Sequence, residues 1–135
     1  MKILITGAYG IVGSYLCKEL KNEHEIIGIG RRKKYDGCNK YYCCDVTDKK
    51  QLEEVLKENS DLDIIIHCAA LAHNKGNDLS KEKFMKVNYE ATKYFIDLSN
   101  KYLQLKNFIF ISTISVYGER LEQDVYVETD ACEPK

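Results

Sequence analysis

The chain has 135 residues, with 20 Lys and Arg against 21 Asp and Glu, 44% hydrophobic and 30% charged, the balance of one globular domain around one core. A net charge of −1, with both signs interspersed, gives no basic face for nucleic acid or an anionic membrane. No apolar run reaches the length of a membrane span, and the opening MKILITG has neither the long apolar stretch nor the cleavage site of a secretion signal, so a cytoplasmic location is expected. The six cysteines, Cys17, Cys38, Cys43, Cys44, Cys68 and Cys132, contain no CxxC pair. Cys43 and Cys44 are adjacent and would point to opposite faces of a strand, which makes a poor chelate. Reduced thiols and no metal are the expectation.

In chain order, KILIT (2–6) is short, apolar and Ile-rich, and predicts a strand. Residues 11–21 carry Ile11, Val12, Tyr15, Leu16 and Leu20 at helical spacing. EIIGI (25–29) predicts a second strand and KYYCCD (40–45) a weaker third. A helix over 48–58 follows, with Leu52, Val55 and Leu56 on one face and Asp45 or Thr47 as its cap. LDIIIHCAA (62–70) is apolar on both faces, as a strand between two helix layers should be. A long helix is predicted over 81–103, its buried stripe running through Phe84, Val87, Ala91, Tyr94, Phe95, Leu98 and Tyr102, and NFIFIST (107–113) is a fifth strand. From Gly118 onward the sequence is polar and irregular. Strands alternating with helices, without hairpin signals, predict an α/β fold with a parallel sheet built from right-handed crossovers.

Three glycines fill the joint between the first strand and the first helix. Gly7 suits a tight turn. Gly10 leaves bare backbone where a pyrophosphate would meet a helix N-terminus. Gly13, one turn on, lets the helix lie close to the strand. The spacing is GxxGxxG rather than the commoner GxGxxG. The alternative is that the glycines serve turn geometry and packing alone.

TGAYGIVG (6–13) resembles the nucleotide-binding loop of the extended short-chain dehydrogenase/reductases, the NAD(P)-dependent sugar-nucleotide epimerases and dehydratases. CDVTD (44–48), DIIIHCAA (63–70), VNYEAT (87–92) and FIFISTISVYG (108–118) resemble four further motifs of that family, in the right order. The resemblance implies a Rossmann-type α/β fold, a doubly wound parallel sheet of five strands in the order 3-2-1-4-5 with helices on both faces, and cofactor contacts from Gly7, Tyr9, Gly10, Ile11, Val12 and Gly13, from Asp45 and Val46 near the adenine, and from Ala69 and Ala70 at the end of the fourth strand. Asn88 would brace the central helix. Read without the family, Asp45 is equally a helix cap and Asn88 a polar helix position. His67, inside an apolar strand, reads as a hydrogen-bonded core histidine rather than a catalyst. His73 falls in a loop facing either substrate or solvent.

NAD enzymes place an acidic residue at the end of the second strand for the ribose hydroxyls. Here that position is Gly30, followed by Arg31, Arg32, Lys33 and Lys34. An Arg would hold a 2′-phosphate by a charge-assisted fork, and the stretch resembles the same strand end in GDP-mannose 4,6-dehydratases, which use NADP. NADP is therefore expected ahead of NAD. A solvated basic loop is the plain alternative.

In the family a Ser or Thr after the fifth strand hydrogen-bonds the sugar, a Tyr moves the proton and a Lys four places later lowers the Tyr pKa. The resemblance puts the hydroxyl at Thr113, with Ser112 and Ser115 as the choices of a shifted alignment. The Tyr and Lys of YxxxK have no counterpart after the fifth strand, since Tyr117 is followed four places on by Leu121. The expectation is one NAD(P)-binding domain over 1–135, incomplete at its C-terminal end and without the substrate-binding region, binding cofactor but lacking turnover alone. A nucleotide sugar would be the full-length substrate, and the 81–103 helix resembles half of the family's helical dimer interface. A non-catalytic NAD(P)-binding or sensing module and a flavodoxin-like phosphate binder are the competing readings. The DIIIHCAA and STISVYG pair counts against the last.

Overall fold

A computed structural model of the chain describes residues 1–71, 80–118 and 125–134. Five strands, β1 (Lys2–Thr6), β2 (Glu25–Gly30), β3 (Lys40–Cys43), β4 (Ile64–His67) and β5 (Asn107–Phe110), form one sheet in the order β3-β2-β1-β4-β5. Every pairing is parallel: Leu4 stands between Ile27 and Ile65, and Ile66 beside Ile109. The expected sheet and strand order are the observed ones.

The helices are α1 (Ile11–Leu20), α2 (Lys49–Glu58), α3 (Lys81–Phe84) and α4 (Ala91–Tyr102), with a π-helical segment, Met85–Glu90, joining the last two. The long helix expected over 81–103 is thus continuous but widened in its middle, a distortion frequent at functional sites. The pleat sends alternate strand residues to opposite faces, and each face has its own core. On one, Leu4, Ile27, Ile29 and Ile65 meet Leu52, Val55 and Leu56 of α2 and Ala91, Phe95 and Leu98 of α4. On the other, Ile3, Ile5, Ile26 and Ile66 meet Cys17, Leu16 and Leu20 of α1.

Three local expectations need correction. The apolar spacing of α1 does not map onto its buried face: Ile11 is 93% exposed and Tyr15 65% exposed, while Gly13 and Cys17 are buried. The close approach of the helix to the glycine loop decides which side turns inward. The cap of α2 is Asp48, whose Oδ1 accepts from the Lys50 and Gln51 N–H groups, and neither Asp45 nor Thr47. Asp45 instead folds its own loop, its Oδ1 accepting from the N–H and the hydroxyl of Thr47 at 2.9 and 2.8 Å. Finally, β5 stops at Phe110 rather than running to Thr113. It lies at the sheet edge, with Ile109 and Phe110 exposed.

All six thiols are free. Cys43 is exposed and Cys44 buried, as the pleat requires. Among the described residues no helix is long and apolar enough to cross a membrane.

Candidate functional site

The glycine loop turns on Gly7, whose φ of +64° is left-handed, a region that a Cβ penalises. Gly13 is needed for space: a Cβ there would come within 2.2 Å of the Gly7 carbonyl oxygen. Helix α1 is therefore pressed against the loop itself. Gly10 begins α1 without any side-chain cap, and no acidic residue occupies its first turn. The first-turn N–H groups are left to whatever anion or water approaches.

In front of this helix end lies a cavity of about 370 Å³ at the C-terminal ends of the strands. It is lined by Gly7, Tyr9 and Gly10 from the first loop, Gly30 and Arg31 from the end of β2, Asp45 and Val46 after β3, and Ala69 and Ala70 after β4. Sequence reasoning missed Thr47, Leu71, Lys83 and Lys86, which also line it. The signal for the lysines was available, since 83, 86 and 87 fall on one helical face. Among the described residues the charged side chains of the cavity are Arg31, Lys83 and Lys86 against Asp45. A chain of net charge −1 thus lines this cavity with an excess of positive charge, which favours an anionic ligand. Among the described residues neither Lys83 nor Lys86 belongs to an ion pair.

A hydrogen-bonded chain holds the β4 end of the cavity in shape. The Thr6 hydroxyl oxygen accepts from the Cys68 and Ala69 N–H groups at 3.0 and 2.9 Å and lies 2.7 Å from His67 Nδ1. With both of its lone pairs taken, Thr6 must donate its proton to Nδ1. Nε2 therefore carries the ring proton and donates to Thr92 Oγ1 at 3.0 Å, and Thr92 donates to the Asn88 carbonyl at 2.9 Å. The Asn88 side chain then closes on the Leu71 backbone, accepting from its N–H at 2.8 Å and donating to its carbonyl at 3.0 Å. His67 is 1% exposed, and burial lowers its pKa to about 4, so it is neutral at pH 7. Its place as a satisfied core histidine matches the expectation. Burial raises the thiols lining the same cavity, Cys44 to about 12 and Cys68 to about 11. Both stay protonated near neutrality and are poor nucleophiles.

Other expected site residues lie elsewhere. Ile11 and Val12 border an open apolar groove beside α1 with Tyr15 and Tyr35. Arg32 does not line the cavity. Its guanidinium sits 4.6 Å from the centre of the Tyr9 ring. Asn88 supports the cavity through Leu71 rather than lining it. Thr113 is exposed and borders a separate depression with Tyr117 and Tyr126. Its Oγ1 accepts from the Ser115 N–H at 3.2 Å, capping the short turn Ile114–Tyr117. Tyr117 stacks on Tyr126 at 5.4 Å. The spacing YxxxK does occur at Tyr89 and Lys93 and at Tyr102 and Lys106. Neither pair lines the cavity, and the Tyr102 hydroxyl donates to Glu53 on α2. His73 lies outside the described residues.

A parallel sheet in this strand order, with a glycine turn, an open helix N-terminus and a cavity across the strand ends, defines a Rossmann-type α/β domain. Comparison with known proteins agrees: the NAD dependent epimerase/dehydratase family matches residues 3–135, and the chain belongs to that family. It is 34% identical to the dTDP-D-glucose 4,6-dehydratase of Dictyostelium discoideum, over 91% of this chain and 31% of that protein. Among solved structures it resembles the UDP-glucose 4-epimerase of Thermotoga maritima with UDP-glucose, with a TM-score of 0.86 and 26% identity, over 100% of this chain and 45% of that one. The UDP-glucuronic acid 4-epimerase of Bacillus cereus, in complex with UDP-glucuronic acid and NAD, gives a TM-score of 0.81 and 25% identity, over 99% and 46%. The chain spans about a third to a half of the length of these relatives.

Proposed function

We propose that these 135 residues are the nicotinamide-dinucleotide-binding part of a cytoplasmic sugar-nucleotide epimerase, dehydratase or reductase, and that they bind cofactor without turning over substrate by themselves. The observation that carries the reading is the cavity lined by Gly7, Gly10, Arg31, Asp45, Ala69 and Ala70 in front of the uncapped end of α1. The residues fit a dinucleotide. Bare backbone at Gly10 and the helix dipole suit a pyrophosphate. The Asp45–Val46 loop and the alanines form the walls, and Lys83 and Lys86 add positive charge. When bound, the nicotinamide would supply hydride transfer, and the protein's part is to bind and orient it.

The B. cereus relative holds NAD, but Gly30 and Arg31 at the strand end favour NADP here, because no carboxylate stands there to repel a 2′-phosphate. The reading that the chain does not turn over substrate alone is supported by Thr113, whose hydroxyl caps a turn outside the cavity, with no Tyr–Lys pair of that spacing beside it among the described residues. That same position favours a second reading, a non-catalytic dinucleotide-binding module. A nucleotide sugar is the proposed substrate of the enzyme. The exposed Met85, Tyr89 and Ile96 on the long helix offer an apolar face for a homodimer.

Calorimetric titration with NADP and NAD, with the Gly10→Val variant as control, tests the site. A Cβ at Gly10 would lie 3.1 Å from the Gly7 carbonyl oxygen, tight but tolerable, and the β-branched side chain would fill the pyrophosphate approach. Binding should vanish while the thermal melt stays cooperative. Unchanged binding removes the loop from the site. Turnover of a UDP-sugar or dTDP-sugar by the 135-residue chain would overturn its inactivity.

A further inference from the structure

We propose that the Tyr9 ring holds position 30 as glycine, by filling the space at the end of β2 where the side chain of a ribose-binding acid would stand, and so blocks a change of cofactor preference at that position. The inference rests on the dinucleotide-binding reading above. In such domains the acid at the end of the second strand takes the ribose hydroxyls and excludes a 2′-phosphate. Here that position is Gly30, the last residue of β2.

Backbone conformation does not explain this glycine, since among the described residues the positive-φ glycines are Gly7 and Gly118. Space does. A Cβ at Gly30 would lie 2.6 Å from Tyr9 Cε1, 2.9 Å from Tyr9 Cδ1 and 3.0 Å from the Tyr41 hydroxyl oxygen. Real Cβ atoms do not approach a ring this closely, because packed interiors leave no such overlap. The Tyr9 ring is also held. The Arg32 guanidinium lies 4.6 Å from its centroid, within range of a cation–π attraction. The Arg32 main chain is anchored beside it, its carbonyl accepting from the Tyr41 hydroxyl at 3.1 Å. Tyr9, Gly30, Arg32 and Tyr41 therefore interlock, and Tyr9, Gly30 and Arg31 all border the cavity.

Two consequences follow. The end of β2 presents an aromatic ring, a stacked guanidinium and Arg31, with no carboxylate, which suits a 2′-phosphate. And the cofactor preference cannot be reversed at position 30 alone, because an acid there needs the room that Tyr9 occupies. Positions 9 and 30 are coupled, and their effects on stability and on cofactor choice should be non-additive.

The test is a double-mutant cycle on the 135-residue chain: wild type, Tyr9→Ala, Gly30→Asp and the double variant, each melted and titrated with NAD and NADP at one salt concentration. Gly30→Asp alone should lower the melting temperature and weaken both dinucleotides. Tyr9→Ala should keep the preference for NADP. The double variant should melt above Gly30→Asp and shift the affinity ratio toward NAD by about tenfold or more. Should Gly30→Asp fail to fold, Gly30→Ala with and without Tyr9→Ala reads the same collision through melting temperature alone. If Gly30→Asp alone gains NAD affinity at the wild-type melting temperature, the ring gives way and Tyr9 does not hold position 30. A double variant that binds both dinucleotides in the wild-type ratio also overturns the proposal, while leaving the dinucleotide site intact. A wild type that binds neither dinucleotide sinks the site itself, and the proposal with it.

Discussion

Replacing Thr6 by Val removes one hydroxyl and, with it, three hydrogen bonds. The Cys68 and Ala69 N–H groups lose their acceptor, and His67 Nδ1 loses its donor. Each bond contributes about 1 kcal/mol net, so their loss costs about 3 kcal/mol. Thr6 is fully buried, and the methyl of Val in place of the hydroxyl returns about 0.8 kcal/mol of burial. The expected net loss is about 2 kcal/mol in urea unfolding at pH 7. Thr6→Ser keeps the hydroxyl and should keep the network. The assay with most resolution is the 15N spectrum of the His67 ring: wild type and Thr6→Ser should both show an unprotonated, hydrogen-bonded Nδ1 and a protonated Nε2, and Thr6→Val should lose the hydrogen-bond shift at Nδ1. Because Ala69 borders the cavity, Thr6→Val should also weaken dinucleotide binding. A stability loss below about 0.5 kcal/mol, with an unchanged His67 spectrum, would refute the argument that this hydroxyl organises the end of β4.

Two further outcomes concern titration. His67 has its pKa lowered to about 4 by burial, from an ordinary 6.5, so between those values the unfolded chain takes up the proton first; acidification from pH 6.5 to 4 should therefore cost the fold up to about 3 kcal/mol, with that slope flattened in His67→Gln, and a pH-independent stability over this window would contradict it. Cys38 has its pKa lowered from the ordinary thiol value, first by its neighbour Cys17; its alkylation by iodoacetamide should set in at lower pH than that of an ordinary thiol, and Cys17→Ala should move the onset to higher pH, whereas an unmoved profile would remove Cys17 as the cause.

Much of this protein was legible before folding. The alternation of KILIT, EIIGI, DIII and NFIF with helical spacing determines a parallel α/β sheet, because KILIT, EIIGI and DIII are too apolar to lie anywhere but between helix layers. The place of Gly7 and Gly10, after one strand and before one helix, likewise marks the loop that borders the cavity. What a one-dimensional pattern cannot contain is which side chains share a space. The helical spacing of Ile11, Val12 and Tyr15 says that they share a face, but the contact of Gly13 with the Gly7 carbonyl turns that face outward. Thr6, His67, Thr92, Asn88 and Leu71 are spread over more than sixty residues, and only the register of β1 against β4 joins them into one chain of hydrogen bonds. Gly30 read from the sequence is a missing acid. Only the tertiary structure places the Tyr9 ring 2.6 Å from where its Cβ would be, because a loop after β1 and the end of β2 meet through strand pairing and not through proximity in the chain.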